Sequence, residues 1–278
     1  MKILKIVLCL FLCLSIIGLL SVLFRGNDND SLPPEETTSY DQTDCESNTE
    51  GETKFPEYTF DDQMFANSKF LVFGDSIAAG SGLESRKHSF PNRAGTLLNV
   101  EYVSNNAVGG STLALDPNNE KRRCIANDVV DFASKSSVAY DIIIIAGGVN
   151  DKSNNLPIGD IDDFTTETVY GSLNIIVQTV QDKWPDAFFF LATPLKCRSY
   201  NNVNNAGYVL SDVADAIKAI GEKYDVPVLD LYSTSGFETA SNGMNHPDCD
   251  GCHPLQGFID EYLAPQVASF ISENYKDQ

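Results

Sequence analysis

Two short stretches of this chain are almost purely apolar: Tyr140–Gly147 (YDIIIIAG) and Ala187–Thr193 (AFFFLAT). Runs of that length with no polar alternation fit strands covered on both faces, and such strands belong to parallel sheets. Lys69–Gly74, Val100–Asn105 and Val226–Leu231 are further strand candidates. Helical patterns fall between and after the strands, at Phe90–Leu98, Ile125–Ser134, Phe164–Lys183, Ala206–Tyr224 and Gln256–Tyr275. Strands alternating with helices predict an α/β fold, a three-layer sandwich around a five-stranded parallel sheet with right-handed crossovers. Residues 67–278, 212 in all, suit a single domain of this kind.

The preceding residues are of another character. Residues 3–24 are apolar apart from Lys5, and these 22 residues exceed the roughly 20 that cross a bilayer as a helix. Lys2 and Lys5 lie at the start, while Arg25 is followed by acids, which keeps the N-terminus inside and sends the rest out. Residues 1–25 are therefore expected to be a single-pass membrane anchor, leaving the domain extracytoplasmic. A cleaved signal peptide is the alternative and would make the protein secreted, but no small-x-small site stands near residues 21–26. Residues 26–66 hold twelve acids, one Lys and Pro33-Pro34, and read as an acidic disordered tether. The formal charge is -20 overall and -12 over residues 67–278, which argues against binding nucleic acid by phosphate neutralisation.

Open α/β sheets bind ligands beyond the carboxyl ends of their strands. The first strand ends in Gly74-Asp75-Ser76. There Ser76 would sit at a strand-to-helix turn with its hydroxyl exposed; taken alone it would read as an ordinary N-cap. The second strand runs into Asn105 to Thr112, with Gly109-Gly110 letting backbone approach a ligand closely. After the third comes Gly148-Val149-Asn150-Asp151, where Asn150 could offer an amide donor. Near the C-terminus stands Asp250-Gly251-Cys252-His253, a carboxylate three residues before an imidazole that it can orient.

Four such blocks in this order resemble the SGNH/GDSL hydrolase family, GDSL-like lipases and acylhydrolases with a flavodoxin-like fold. The resemblance spans about residues 69–272. It implies Ser76 as nucleophile, His253 as general base and Asp250 as its orienting acid. It also implies an oxyanion hole from the Ser76 N–H, the Gly110 N–H and the Asn150 side chain, with no cofactor and no metal. The substrate would be an acyl ester: a small molecule, a lipid or an O-acetylated carbohydrate. For an outward-facing enzyme we favour the carbohydrate over lipase or lysophospholipase-type deacylation. A non-catalytic surface binding module is the alternative from another class.

Cysteine supplies the remaining rivals. Cys249 to His253 matches the C-x-x-C-H haem attachment pattern, and His246, Cys249, Cys252 and His253 are all possible zinc ligands. Outside the cell, disulfides among Cys124, Cys197, Cys249 and Cys252 are the third reading, and a bridge from the His253 loop to Cys197 or Cys124 would stiffen it. Lys121-Arg122-Arg123, the one basic triplet of the acidic domain, reads as a solvated helix face or as an anion-seeking rim. The topology is open to direct test. Protease added to intact cells should remove the globular domain by cutting within residues 26–66, and a domain protected until lysis would contradict the orientation.

Overall fold

The structure, a computed structural model, describes residue 60 and residues 63–275. The expected anchor and nearly all of the expected tether lie outside these residues. Among the described residues no helix is long and apolar enough to cross a membrane.

Five strands form one sheet: β1 (Lys69–Gly74), β2 (Tyr102–Asn105), β3 (Ile142–Ala146), β4 (Phe188–Ala192) and β5 (Val228–Leu229). Their order is β2-β1-β3-β4-β5 and every pairing is parallel. Residues alternate between the faces. Phe70, Val72, Ile142, Ile144 and Phe190 enter one apolar cluster. Leu71, Phe73, Ile143, Ile145 and Leu191 enter the other. This double burial is why β3 and β4 carry unbroken apolar runs. Helices α2 (Phe90–Leu97) and α9 (Ala264–Asn274) cover the first face. Helices α3 (Ile125–Lys135), α5 (Val169–Lys183) and α6 (Leu210–Tyr224) cover the second. The three-layer α/β expectation holds.

Several boundaries move for physical reasons. The expected helix from Phe164 begins instead at Val169, capped by Thr168 Oγ1, which accepts from the Gly171 N–H at 3.1 Å. Asn174 Nδ2 donates to the carbonyls of Ile161, Asp163 and Tyr170 and so holds the preceding loop as turns. The expected last helix is interrupted. A single turn, α8 (Gln256–Phe258), leads into a π turn at Ile259–Leu263 before α9, which has Pro265 in its first turn. Proline has no N–H and crowds the preceding turn, so widening there relieves the helix. The packed domain also starts before residue 67: Phe65 is fully buried and lies edge-on to Tyr275 at 5.1 Å.

Three short helices sit at the carboxyl ends of strands: α1 (Ser76–Ala79) after β1, α4 (Val149–Ser153) after β3 and α7 (Leu231–Thr234) after β5. Two buried carboxylates hold the first two in place. Asp75 Oδ1 accepts from the Ile77 N–H at 3.0 Å and caps α1. Asp151, on α4, accepts from the N–H groups of Leu113 and Ala114 at 2.9 Å each, binding the β2–α3 loop to the end of β3. Burial pushes Asp75 up to about 7 and Asp151 up to about 6, from an ordinary value of 3.8.

Between the unfolded and folded values, the folded chain keeps a proton that the unfolded chain has lost. Burial of Asp75 therefore lowers stability as pH rises from about 4 to about 7, by about 1.4 kcal/mol per unit per proton, and no further above that. Asn at this position can still accept from the Ile77 N–H. Denaturant melts of Asp75→Asn should show a shallower fall in unfolding free energy across pH 4 to 7 than wild type, and an identical slope would contradict the assignment.

Candidate active site

The sheet order places β1 between β2 and β3, so the chain leaves β1 in one direction and later returns on its other side. Loops leaving the carboxyl ends of β1 and β3 diverge there and open a crevice. Gly74, the last residue of β1, lets the two strand ends approach, since a Cβ there would collide with the Ala146 carbonyl oxygen. Ser76 follows as the first residue of α1. The N-cap is Asp75, so the plain reading of Ser76 as a cap is corrected and its hydroxyl is left for other work.

His253 Nε2 lies 2.8 Å from Ser76 Oγ across 177 residues of sequence, and His253 Nδ1 lies 2.6 Å from Asp250 Oδ2. Asp250 Oδ1 accepts from the N–H groups of Cys252 and His253, both at 2.8 Å, so one carboxylate shapes the loop and orients the ring. Its side chain is 58% exposed. Partial burial pushes its carboxyl up, but the hydrogen bonds from the His253 ring and from the two N–H groups outweigh this and bring it to about 2. Asp250 therefore stays ionised down to about pH 2.

The loop that carries His253 is fastened to the end of β4. Cys197 and Cys252 form a disulfide, and the Arg198 N–H donates to the Gly251 carbonyl at 2.6 Å. The sequence separation is 55 residues, for which the chain-entropy argument gives about 4 kcal/mol. Of the pairings left open by the sequence, Cys197–Cys252 is the one formed, and Cys124 and Cys249 are free and buried. The haem and zinc readings of Cys249 to His253 are corrected by the same contacts. Cys252 is bonded to Cys197, the Cys249 thiol donates to the His253 carbonyl, and the His253 ring is shared between Asp250 and Ser76. The His246 ring instead accepts from the Asp248 N–H at 3.2 Å. Among the described residues no group of three or more His, Cys, Asp or Glu could hold a metal ion.

The glycine block lies beside Ser76 and is joined to the asparagine block. A Cβ on Gly109 would lie 3.9 Å from Ser76 Cβ, so glycine at this position keeps the space beside the serine open. Gly110 adopts φ 79°, a left-handed conformation that favours glycine. Asn150 Nδ2 donates one hydrogen to the Ser111 carbonyl at 2.9 Å, which leaves its second hydrogen for a ligand. Gly148, just ahead, has φ 117°, and a Cβ there would strike Val213. Thus Ser76, His253 and Asp250 form one hydrogen-bonded chain, and the Gly110–Ser111 segment and Asn150 form a second group.

The basic triplet is not a helix face: Lys121 and Arg123 are exposed and Arg122 is only partly so. It precedes α3, Arg123 pairs with Asp128, and Arg122 reaches inward. Nothing in the sequence marks Arg122 or Asn154 as neighbours of the Gly110 and Asn150 blocks. The only signal there was the triplet itself, since nothing in the local pattern announces which carbonyl a guanidinium will meet.

The sequence model of the GDSL-like lipase/acylhydrolase family matches residues 72–256, about two thirds of the chain. No curated protein matches. Among solved structures, a protein from Lactobacillus plantarum is 25% identical, covers 76% of this chain and 99% of that one, and superposes with a TM-score of 0.62. An aryl esterase from M. smegmatis is 15% identical, with coverage of 75% and 100% and a TM-score of 0.56. A carbohydrate acetylesterase from Sinorhizobium meliloti is 16% identical, with coverage of 75% and 100% and a TM-score of 0.55. The last two likenesses speak for the fold alone. The family match extends from within β1 to the start of α8 and takes in all four sequence blocks; this chain belongs to the GDSL-like lipase/acylhydrolase family of serine esterases.

Proposed function

We propose that the protein is an extracytoplasmic serine esterase that removes short acyl groups, acetyl above all, from carbohydrate. The observation that carries the chemistry is the continuous link from Ser76 Oγ to His253 to Asp250, at 2.8 and 2.6 Å. A serine hydroxyl is a poor nucleophile until a base takes its proton. In this reading Ser76 Oγ attacks the ester carbonyl while His253 Nε2 accepts the hydroxyl proton. Asp250 holds the Nδ1–H and stabilises the imidazolium that forms. The negative charge on the former carbonyl oxygen is met by the Ser76 N–H, the Gly110 N–H and the free hydrogen of Asn150 Nδ2. His253 then gives its proton to the departing alcohol, leaving Ser76 acylated. Water, deprotonated by the same ring, attacks the acyl carbon, and the proton returns to Ser76 as the acid departs.

The choice of substrate rests on the expected topology. A tethered enzyme facing outward meets surface and environmental polymers before it meets free lipid. Turnover of acyl esters of increasing chain length should be fastest at acetyl and fall as the chain lengthens; a preference for long chains would replace this reading by lipid deacylation.

Two further outcomes test the chemistry. A fluorophosphonate probe should label the full chain at Ser76, and Ser76→Ala should abolish labelling. His253→Ala should slow labelling severely, and Asp250→Asn should slow it less, because the ring keeps its position but loses its preferred tautomer. Labelling that survives Ser76→Ala would overturn the assignment of the nucleophile. Asn150→Ala should lower kcat by roughly 10²–10³-fold with KM little changed, the size expected for one oxyanion donor. A raised KM at unchanged kcat would make Asn150 a substrate-binding residue instead.

A further inference from the structure

Arg122 takes no part in the steps above, yet its guanidinium touches one half of the proposed oxyanion hole and reaches the other through Asn154. Nη1 donates to the Gly110 carbonyl and Nη2 to Asn154 Oδ1, each at 2.9 Å. Asn154 stands four residues after Asn150, and its Nδ2 donates to the Asn150 carbonyl at 2.7 Å. Asn150 Nδ2 in turn donates to the Ser111 carbonyl. These contacts close a ring: Arg122 to Gly110, along the chain to Ser111, across to Asn150, down to Asn154 and back to Arg122.

The ring is anchored from behind. Arg122 Nε donates to Asp116 Oδ2 at 2.9 Å, and the Asp116 side chain is 5% exposed. Asp116 Oδ1 accepts from the Asn118 N–H at 2.9 Å, which fixes the carboxylate. The segment between is closed at its base, where the Thr112 N–H donates to the Arg123 carbonyl and the Ile125 N–H to the Thr112 carbonyl. The guanidinium is thus held at every nitrogen, in a plane that only this side chain can supply.

An oxyanion hole accelerates a reaction because its donors are already aimed, and a misplacement of about 1 Å can cost 10²-fold. Gly109-Gly110 is the softest piece of backbone at the site, and the Asn150 donor is a side-chain amide on a single-turn helix. We infer that Arg122 is a positioning residue for ester hydrolysis, clamping the Gly110 loop to α4 so that the Gly110 N–H and the Asn150 amide converge on one oxygen. The inference rests on the esterase reading. Its rival is an ion pair with Asp116 that merely steadies the loop.

The test uses the full chain, with p-nitrophenyl acetate turnover, fluorophosphonate labelling and thermal melts read together. Arg122→Lys keeps a cation beside Asp116 but cannot reach Gly110 and Asn154 at once; Asn154→Ala cuts the ring and spares Asp116. Each should lower kcat by roughly 10- to 100-fold with KM within about twofold. On an Asn150→Ala background the further loss from Arg122→Lys should be smaller than in the otherwise wild-type chain, because one of the two donors that the clamp aims is already gone. Millimolar guanidinium should raise kcat in Arg122→Ala and leave wild type unchanged; should Arg122→Ala fail to fold, the other two variants decide alone. Wild-type kcat in both Arg122→Lys and Asn154→Ala, or a loss that multiplies in full with that of Asn150→Ala, would overturn the clamp. A wild-type chain that never labels at Ser76 would overturn the esterase reading and the clamp with it. Labelling and turnover at wild-type rates in both variants would overturn the clamp alone.

Discussion

The pairing of β1 with β3 is the constraint on which the molecule turns. Both strands are buried on both faces, and β1 has β2 on its other side. Two parallel neighbours on opposite edges force the connections to part company at the carboxyl end, and the crevice follows from topology alone. Ser76 hangs from one lip and Asn150 from the other, each within a few residues of its strand. Gly74 permits the close approach of the strand ends, and Gly148 permits the turn into α4. The His253 loop comes from far along the chain and would be the loosest component. The Cys197–Cys252 bridge and the Arg198–Gly251 hydrogen bond tie it to β4, the strand beside β3.

Carboxylates divide the labour at this end of the sheet according to burial. Asp75 and Asp151 are buried, their carboxyls are pushed up, and they satisfy backbone N–H groups of the turns that carry the site. They spend stability at neutral pH to fix geometry. Asp250 is largely exposed and held low by His253 and its own loop, which favours its charged form. The carboxylate beside the His253 ring is thus placed where water still supports its charge, and buried carboxylates are used where shape matters more than charge.

The meeting of Ser76, His253 and Asp250 was legible in the sequence because strand ends can be found from apolar runs, and because few residue types form such a hydrogen-bonded chain. Only three His stand in the chain, and the one preceded by Asp250 is the one that reaches Ser76. What stayed hidden depends on contacts between distant segments. Phe65 belongs to the core through Tyr275, although its acidic surroundings read as tether. Cys197 follows β4 and Cys124 follows the Gly110 loop, and no local pattern distinguishes them as partners of Cys252. Arg122 sits in a basic triplet that resembles a solvated surface, and its contacts depend on Gly110, Asp116 and Asn154 arriving around it. The break in the last helix was likewise missed, although Pro265 stands within the expected span, just after the π turn.

The central claim is that an acyl group passes through Ser76. Rapid quenching of the full chain with p-nitrophenyl acetate, followed by mass analysis of its peptides, addresses that claim most directly. The account predicts a burst of one p-nitrophenolate per chain and one acetyl group on the peptide containing Ser76, with neither seen in Ser76→Ala. Steady turnover with no acetylated Ser76, or an acetyl group carried on another residue at the same rate, would contradict it.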